Sequence, residues 1–473
     1  MKGNWAIGAG SAALLCSGTA LGGVPQAAEQ PRTLDAALAA AYLGNPMLRQ
    51  ERATLRATDE QVPQALSGWR PTITGTASMS YYSGLMRMEP SSGESGYARR
   101  YESPGYSGGV SISQPIYTGG KTTASTHKAR HAVMAERARL IAAEEQVFSD
   151  VVSAYVNVVE DEQILHIDIN NEQVYAAQLH ATELRAHGGE ITQTDVAQAA
   201  GALANARAVR QLAEGTLLAD RATYRQVVGV DAPDDLALPQ PLVLPLHTEQ
   251  DAMTQAVQNN PDVIGALFDE AAKKDAVGVA FAALMPTVSA QAAYMHGINQ
   301  DEGRSLNNNK YALVNASMPL YQGGGEYAAV RMARQQANEA THTVDVKRRA
   351  AVQLAAASWQ RMQANRAAIE SNRAAVEADA TALHGMQRQV MVGTTSTLSV
   401  LQQQETLLQA QIALVRSAGN LVISSYQATA AIGRLTARDL NLDVPLYDER
   451  AYYRAVHDRL WGISDYATSQ PGR

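Results

Sequence analysis

The chain of 473 residues has a single cysteine, Cys16. A disulfide framework and a cysteine-based zinc site are therefore excluded. Phenylalanine is scarce too: 3, against 19 tyrosines and 4 tryptophans. Only 18% of the residues are charged, and acids outnumber bases by 46 to 39, a formal net charge of −7. With no basic surplus to neutralise phosphates, no nucleic-acid partner is expected. After the first thirty positions there is no apolar run of ~18 residues, which excludes a multi-helix membrane protein. A transmembrane β-barrel stays open, because its alternating strands escape a hydropathy profile. Hydrophobic residues reach 46%, so a large surface can be buried. The length fits roughly three domains of ~150 residues or one long repetitive architecture.

What is present begins with an address. Lys2 supplies a positive start, residues 6–15 are mostly Ala, Gly, Ile and Leu, and small residues follow at Gly18, Thr19 and Ala20. This pattern reads as a secretory signal peptide over 1–28. Cys16 raises the alternative of lipidation, but that chemistry wants a small residue before the cysteine, and Leu15 stands there.

The rest of the chain reads as one unit used twice. Asn45-Pro46 and Pro71-Thr72 recur 215 residues later as Asn260-Pro261 and Pro286-Thr287. Pro115-Ile116-Tyr117-Thr118-Gly119-Gly120 recurs 204 residues later as Pro319-Leu320-Tyr321-Gln322-Gly323-Gly324. The same 204 relates Gly189 to Gly393, Leu203 to Leu407 and Gly229 to Gly433. About 110 residues therefore keep register without a gap, as a packed helix demands, and the first copy's extra residues fall in a loop.

Each copy has the same order. A helical stretch broken at Asn-Pro comes first (34–66, then 251–284), with the proline suited to a helix's first turn. An alternating segment follows. Ile73, Ala77, Met79 and Tyr81 share one face, and Thr72, Thr74, Thr76, Ser78 and Ser80 the other. Strict period two means strand, and about ten residues suit a bilayer crossing. Further strands are read at 107–117, 288–292 and 312–318, with polar loops between partners. Proline-free stretches at 120–187 and 325–392 then read as helices of roughly 100 Å. Val133, Leu140 and Val147, or Leu401, Leu408, Val415 and Val422, recur every seven residues, a coiled-coil spacing. Glycine-containing breaks at 187–190 and 391–394 read as helix turns. A proline-rich linker, 229–247, joins the copies, and 437–473 reads as a loosely structured tail.

Four strands cannot close a membrane barrel, and open edges are prohibitive in lipid. The chain must pool strands with copies of itself around a closed axis.

This doubled plan, the Gln-Pro-Ile-Tyr-Thr-Gly-Gly junction at 114–120 and the Val-Gly-Thr turn at 392–394 resemble the TolC family of outer-membrane export channels. The resemblance covers about residues 30–460. It implies an α+β membrane protein: a homotrimeric twelve-stranded barrel, four strands per chain, in a Gram-negative outer membrane. The barrel would be continuous with a periplasmic α-helical coiled-coil tunnel. It implies a passive conduit in the lipid bilayer, not an enzyme, with no cofactor and no metal. A periplasmic adaptor and an inner-membrane ABC exporter or proton-driven efflux pump would be the partners. The tail segments 433–437 and 444–447 look most like members serving type I, ABC-driven protein secretion; small-molecule efflux is the alternative, and a non-conducting exported coiled-coil protein a distant one.

On this reading the segments are 1–28 signal peptide, 29–70 first equatorial and helical part, 71–117 first barrel hairpin and 118–229 first tunnel hairpin. Then come 230–285 linker and second equatorial part, 286–321 second barrel hairpin, 322–433 second tunnel hairpin and 434–473 equatorial tail. Gly189 and Gly393 match the family's adaptor-docking tips. Asp195 matches an aspartate of the lock that shuts the periplasmic end. The lock's arginine and tyrosine fall at Thr395 and Val390, and two aspartates of an acidic pore ring fall at Ser399 and Gln402. A weaker charge filter and a different latch are expected.

Other chemistry is weaker. His127 and His131 have a metal-compatible spacing but no third ligand. Glu144-Glu145 and Asp234-Asp235 are paired carboxylates, yet adjacent helix residues do not face one another. The glycines at 119–120 and 323–325 lack phosphate-loop spacing.

Overall fold

The computed structural model describes residues 31–88, 97–243, 248–299 and 305–463. The expected signal peptide, Cys16 included, lies outside them. Three short helices open the first copy: α1 (Leu34–Gly44), α2 (Pro46–Asp59) and α3 (Gln61–Leu66). Strands β1 (Thr72–Met88) and β2 (Tyr97–Tyr117) follow, then α4 (Lys121–His187) and α5 (Gln193–Val228). The second copy runs α6 (Glu249–Asn259), α7 (Pro261–Phe281), β3 (Thr287–Ile298), β4 (Leu306–Ser317), α8 (Gly325–Met391) and α9 (Thr397–Ala431). A short α10 (Ala451–Val456) lies in the tail.

The Asn-Pro breaks are built alike. A residue before proline is pushed to extended backbone, and Asn45 and Asn260 both adopt it. Each side-chain oxygen then caps the next helix, accepting from Met47 N at 2.9 Å or from Asp262 N at 3.0 Å. Each side-chain amide donates to the end of its own copy's return helix: Asn45 to Val227 O at 2.9 Å, Asn260 to Ala431 O at 3.4 Å. The break thus ties the start of each copy to its last helical turn.

The strands form one antiparallel sheet in the order β1-β2-β3-β4. They are longer than the alternation indicated: β1 runs to Met88, and β2 starts at Tyr97. The extra rungs carry Ser83, Gly84, Glu102 and Pro104. A hairpin stem with water on both faces needs no alternation, so period two ends before the strand does. In the alternating part, Ile73, Met79, Tyr81, Val110, Ile112, Tyr294 and Val314 share one face and are all exposed. So large an apolar face has lipid as its natural solvent. No helix among the described residues is long and apolar enough to cross a membrane.

The helices α4 and α8 each have 67 residues, roughly 100 Å. Helix α4 pairs with α5 and α8 with α9. The sevenfold positions Val133, Leu140, Val147, Val151, Val158, Leu383, Val390, Leu401, Leu408 and Val422 are buried, against different neighbours: Val133 meets Val62 of α3, Val390 meets Val400 of α9, and Leu401 meets Tyr175 of α4 and Leu203 of α5. The largest core lies midway along α4. There Phe148, Val151, Tyr155 and Val158 meet Leu38 and Tyr42 of α1, Tyr224 and Val228 of α5, and Leu435 beyond α9. The Tyr155 hydroxyl reaches the carbonyls of Arg32 (2.8 Å) and Ala237 (2.7 Å), fastening the N-terminal approach and the linker to α4.

The tail is docked, not loose, as far as Arg459, while Leu460, Trp461 and Ile463 beyond it are exposed. Leu435 and Ala437 are buried. Their N–H groups donate to Glu145 Oε1 (3.4 Å) and Glu144 Oε1 (2.6 Å). Tyr447 N donates to the Tyr42 hydroxyl at 3.0 Å, and Arg70 Nη1 to Arg459 O at 2.9 Å. Backbone donors on buried carboxyls leave no periodic trace in sequence, which is why the tail read as loose.

Candidate functional site: the helix-hairpin tips

The sites expected on sequence grounds gather where α4 turns into α5 and α8 into α9. In the first tip Gly188 N donates to Leu184 O (3.1 Å) and Glu190 N to Arg185 O (3.0 Å). Gly189 has φ +77°. In the second tip Thr394 N donates to Gln389 O (3.0 Å), and Gly393 again has φ +77°. A helix closed this way needs a left-handed residue, which glycine adopts without a Cβ penalty. No neighbouring atom would obstruct a Cβ at either glycine, so the requirement is the dihedral itself.

Each tip restarts with a hydroxyl cap. Thr192 Oγ1 accepts from Asp195 N (3.3 Å), and Ser396 Oγ accepts from Ser399 N (3.2 Å). The first is a capping box, since Asp195 Oδ2 accepts from Thr192 N (3.0 Å) and its hydroxyl (2.7 Å). Those two bonds hold the Asp195 carboxyl below its ordinary value. In the second tip serine replaces the aspartate, and Ser396 and Ser399 share a hydroxyl contact of 3.0 Å. The Arg185–Glu190 ion pair (3.1 Å) bridges the first tip. Gln389 and Thr394 stand at the equivalent places, and Thr394 Oγ1 donates to Gln389 O (3.1 Å). The second tip thus lacks the ion pair and the acidic cap of the first, and keeps one charge in the last turn of α8, Arg388.

The structure separates the expected gate residues by environment. Val390 is buried against Leu383, Val400 and Leu407 inside the α8–α9 hairpin. Thr395 and Ser399 are half-buried, and Gln402 is exposed. Asp195 is half-buried and engaged with its own helix start. Exposed apolar side chains crown the tips: Leu184, Met391 and Val392. Sequence reading missed this crown; three consecutive residues, Val390 buried and the next two exposed, carry no period at a helix end.

The other candidates resolve structurally. His131 Nδ1 lies 2.7 Å from Asp275 Oδ2, and its ring stacks on Phe268. His127 is exposed. Glu144 and Glu145 hold the tail, as described. Asp234 pairs with Arg221 at 2.9 Å and Asp235 with Arg32 at 3.3 Å. Gly119, Gly120, Gly323 and Gly324, all at positive φ, turn each strand into its long helix.

Sequence reading also missed a set of protonatable carboxyls at the equator. Burial pushes Glu145 up to about 8, against the bond from Leu435 N and helped by Glu144. Burial takes Glu144 to about 6 and Asp59 to about 7. Both Asp59 oxygens are buried without a hydrogen-bond partner.

A strand hairpin with a lipid-facing side, running without a break into a 100 Å helical hairpin, twice per chain, defines the protein class. It is a trimeric outer-membrane channel with a periplasmic helical extension, twelve strands closing the barrel. The chain belongs to the outer membrane efflux protein family, whose model matches residues 37–230 and 252–434. It is 32% identical over 461 residues to the outer membrane efflux protein BepC of Brucella suis, covering 96% of each chain. It is 23% identical over 424 residues to the outer membrane protein TolC of Escherichia coli, covering 85% of this chain and 82% of that one. The solved Campylobacter jejuni CmeC outer membrane channel superposes with a TM-score of 0.75 at 16% identity, over 90% of this chain and 89% of that one.

Proposed function

We propose that this channel is the passive exit duct of a type I system, joined by a periplasmic adaptor to an inner-membrane ABC exporter whose cargo is protein. The supporting observation is the tail. The two segments whose sequence looks like ABC-serving members, 433–437 and 444–447, reach the core through buried Leu435 and Ala437 and through partly buried Val444 and Tyr447. A Cβ at Gly433 would collide with the Asn259 carbonyl, and Leu435 and Ala437 sit on the paired glutamates. Small-molecule efflux is the second reading, favoured by the relative named an efflux protein at 32% identity.

On this proposal adaptors dock around the Gly189 and Gly393 turns, with Leu184, Met391 and Val392 as apolar anchors. Asp195, Val390, Thr395, Ser399 and Gln402 form the periplasmic aperture, which lacks an acidic ring at 399 and 402.

The test places a cysteine carrying a photo-crosslinker at exposed Glu190 or Thr394, leaving the strained glycines intact, and identifies captured proteins in the native host. Capture of an adaptor that works with an ABC transporter supports the proposal. An adaptor of a proton-driven pump moves the assignment to efflux, and no adaptor at either site overturns the tip assignment.

A further inference from the structure

The isolated sheet has two unpaired edges, β1 and β4, and the internal repeat specifies how they meet. Strand β1 and β3 are equivalent positions of the two copies, 215 residues apart, and β2 and β4 are equivalent at 204. The two hairpins share one register under those displacements. Thr72 pairs Ser113, and the equivalent Thr287 pairs Ser317; Ile73 pairs Ile112, and the equivalent Val288 pairs Ala316. The contact between the copies, β2 with β3, joins the second strand of one hairpin to the first strand of the next. In a ring of such chains, the contact of β4 with the partner's β1 is the same kind of joint.

We infer that the seam between subunits repeats the β2–β3 register: Asn315 lies opposite Ser78 of the partner subunit, Val314 opposite the partner's Met79, and Ala312 opposite the partner's Tyr81. These are the equivalents of Ser111 with Ala293, Val110 with Tyr294, and Gly108 with His296. Side-chain parity gives an independent check. A slip of one residue would turn the apolar face inward. The inferred register instead keeps Val314 and Ala312 on the side of Met79 and Tyr81, the exposed apolar face, and keeps Asn315 with Ser78 on the polar side.

The joint also accounts for a difference between the copies. Strand β2 continues through Pro115, with a bulge, to Tyr117, because β3 pairs with it there. Strand β4 stops at Ser317, and the equivalent residues beyond it stand out: Leu320 is 85% and Tyr321 80% exposed, against 52% and 44% for Ile116 and Tyr117. In the ring these residues gain the partner's β1 as β2 gains β3. Met318 then lies opposite Gly75 of the partner subunit, and Tyr321, past a bulge at Leu320, opposite the partner's Ile73. The inference rests on the trimeric barrel and is independent of what passes through it.

Disulfide mapping tests it in the full-length trimer in membranes. Directly opposed Cβ atoms are about 4.5–5.5 Å apart and diagonal ones about 7–8 Å, while a disulfide needs about 3.5–4.5 Å. The pair Asn315→Cys with Ser78→Cys is expected to oxidise into covalent dimers and trimers on a non-reducing gel. Asn315→Cys with Thr76→Cys or with Ser80→Cys, two residues out of register, is expected to stay monomeric, as are the single variants. Oxidant is raised until the within-chain equivalent, Ser111→Cys with Ala293→Cys, has closed. A ladder from a displaced pair in place of the matched one overturns the register alone. No ladder from any between-chain pair overturns closure by these two edges.

Discussion

Asn45 and Asn260 each do two jobs with one amide, capping a helix start and holding the last turn of the return helix. Asn45→Ala removes both and is expected to cost about 1–2 kcal/mol, read as a lower unfolding midpoint. Asn45→Asp keeps the cap and loses only the donor, so it should recover part of the loss; equal losses in both would contradict the double role. The residue pair Glu144-Glu145 makes a pH prediction. Burial lifts Glu145 from the ordinary glutamate range to about 8. The folded state then holds a proton that the unfolded chain gives up, so this group's contribution is full below the ordinary value and lost as pH rises through about 8. Glu144, Asp262 and Asp439 add negative charge around it. Amide exchange at Leu435 and Ala437, corrected for its intrinsic pH dependence, should quicken from pH 6 to 9. Glu145→Gln, a neutral acceptor, should flatten that trend; an unchanged trend would remove Glu145 as its source. None of this was legible in sequence, where the pair reads as two adjacent helix acids that do not face one another.

At the scale of the element, the sequence was most readable where periodicity is enforced by packing. Most sevenfold valines and leucines of α4, α8 and α9 are buried because a long helix packed along its length keeps one seam covered, even as the neighbours of α4 change from α3 to α5 and α9. The strands were readable only where one side meets lipid, which is why β1 and β2 extend past their alternation. A comparison of the two helical hairpins exposes one mismatch. Asn365 Nδ2 on α8 donates to Ser424 Oγ on α9 at 3.2 Å. The equivalent residues of the first hairpin are Asp161 and Asp220, two like-charged neighbours across the helix pair. Burial first, then Asp220, push Asp161 up to about 7. Glu160 adds to the rise, and Arg416 of α9 opposes it. Beside the pair, Arg221 is occupied by Glu162 (2.8 Å) and Asp234 (2.9 Å). The folded hairpin holds this proton too, so its stability falls as pH rises through about 7. Transplanting the second copy's solution, Asp161→Asn with Asp220→Ser, is expected to raise the melting temperature at pH 8.5 by roughly 2–4 °C and to have less effect at pH 5. A gain equal at both pH values would mean that the folded hairpin holds no extra proton on Asp161.

At the scale of the molecule, the doubled order of helix, hairpin and long helix was legible because both copies keep it at constant offsets. The tip roles at Asp195, Val390, Thr395, Ser399 and Gln402 were not, because they depend on three chains meeting around an axis. The central claim is that three copies enclose one continuous duct, weakly charged at its periplasmic mouth. Recording from purified trimers in planar bilayers, with a salt gradient across the membrane, tests it most directly. The account predicts stepwise conductance with little cation preference, and a shift of the reversal potential toward cations in the double variant Ser399→Asp with Gln402→Asp. Intact, membrane-inserted trimers that carry no current under any applied voltage, even after the α5 and α9 tips are loosened by Thr192→Gly and Ser396→Gly, would contradict it.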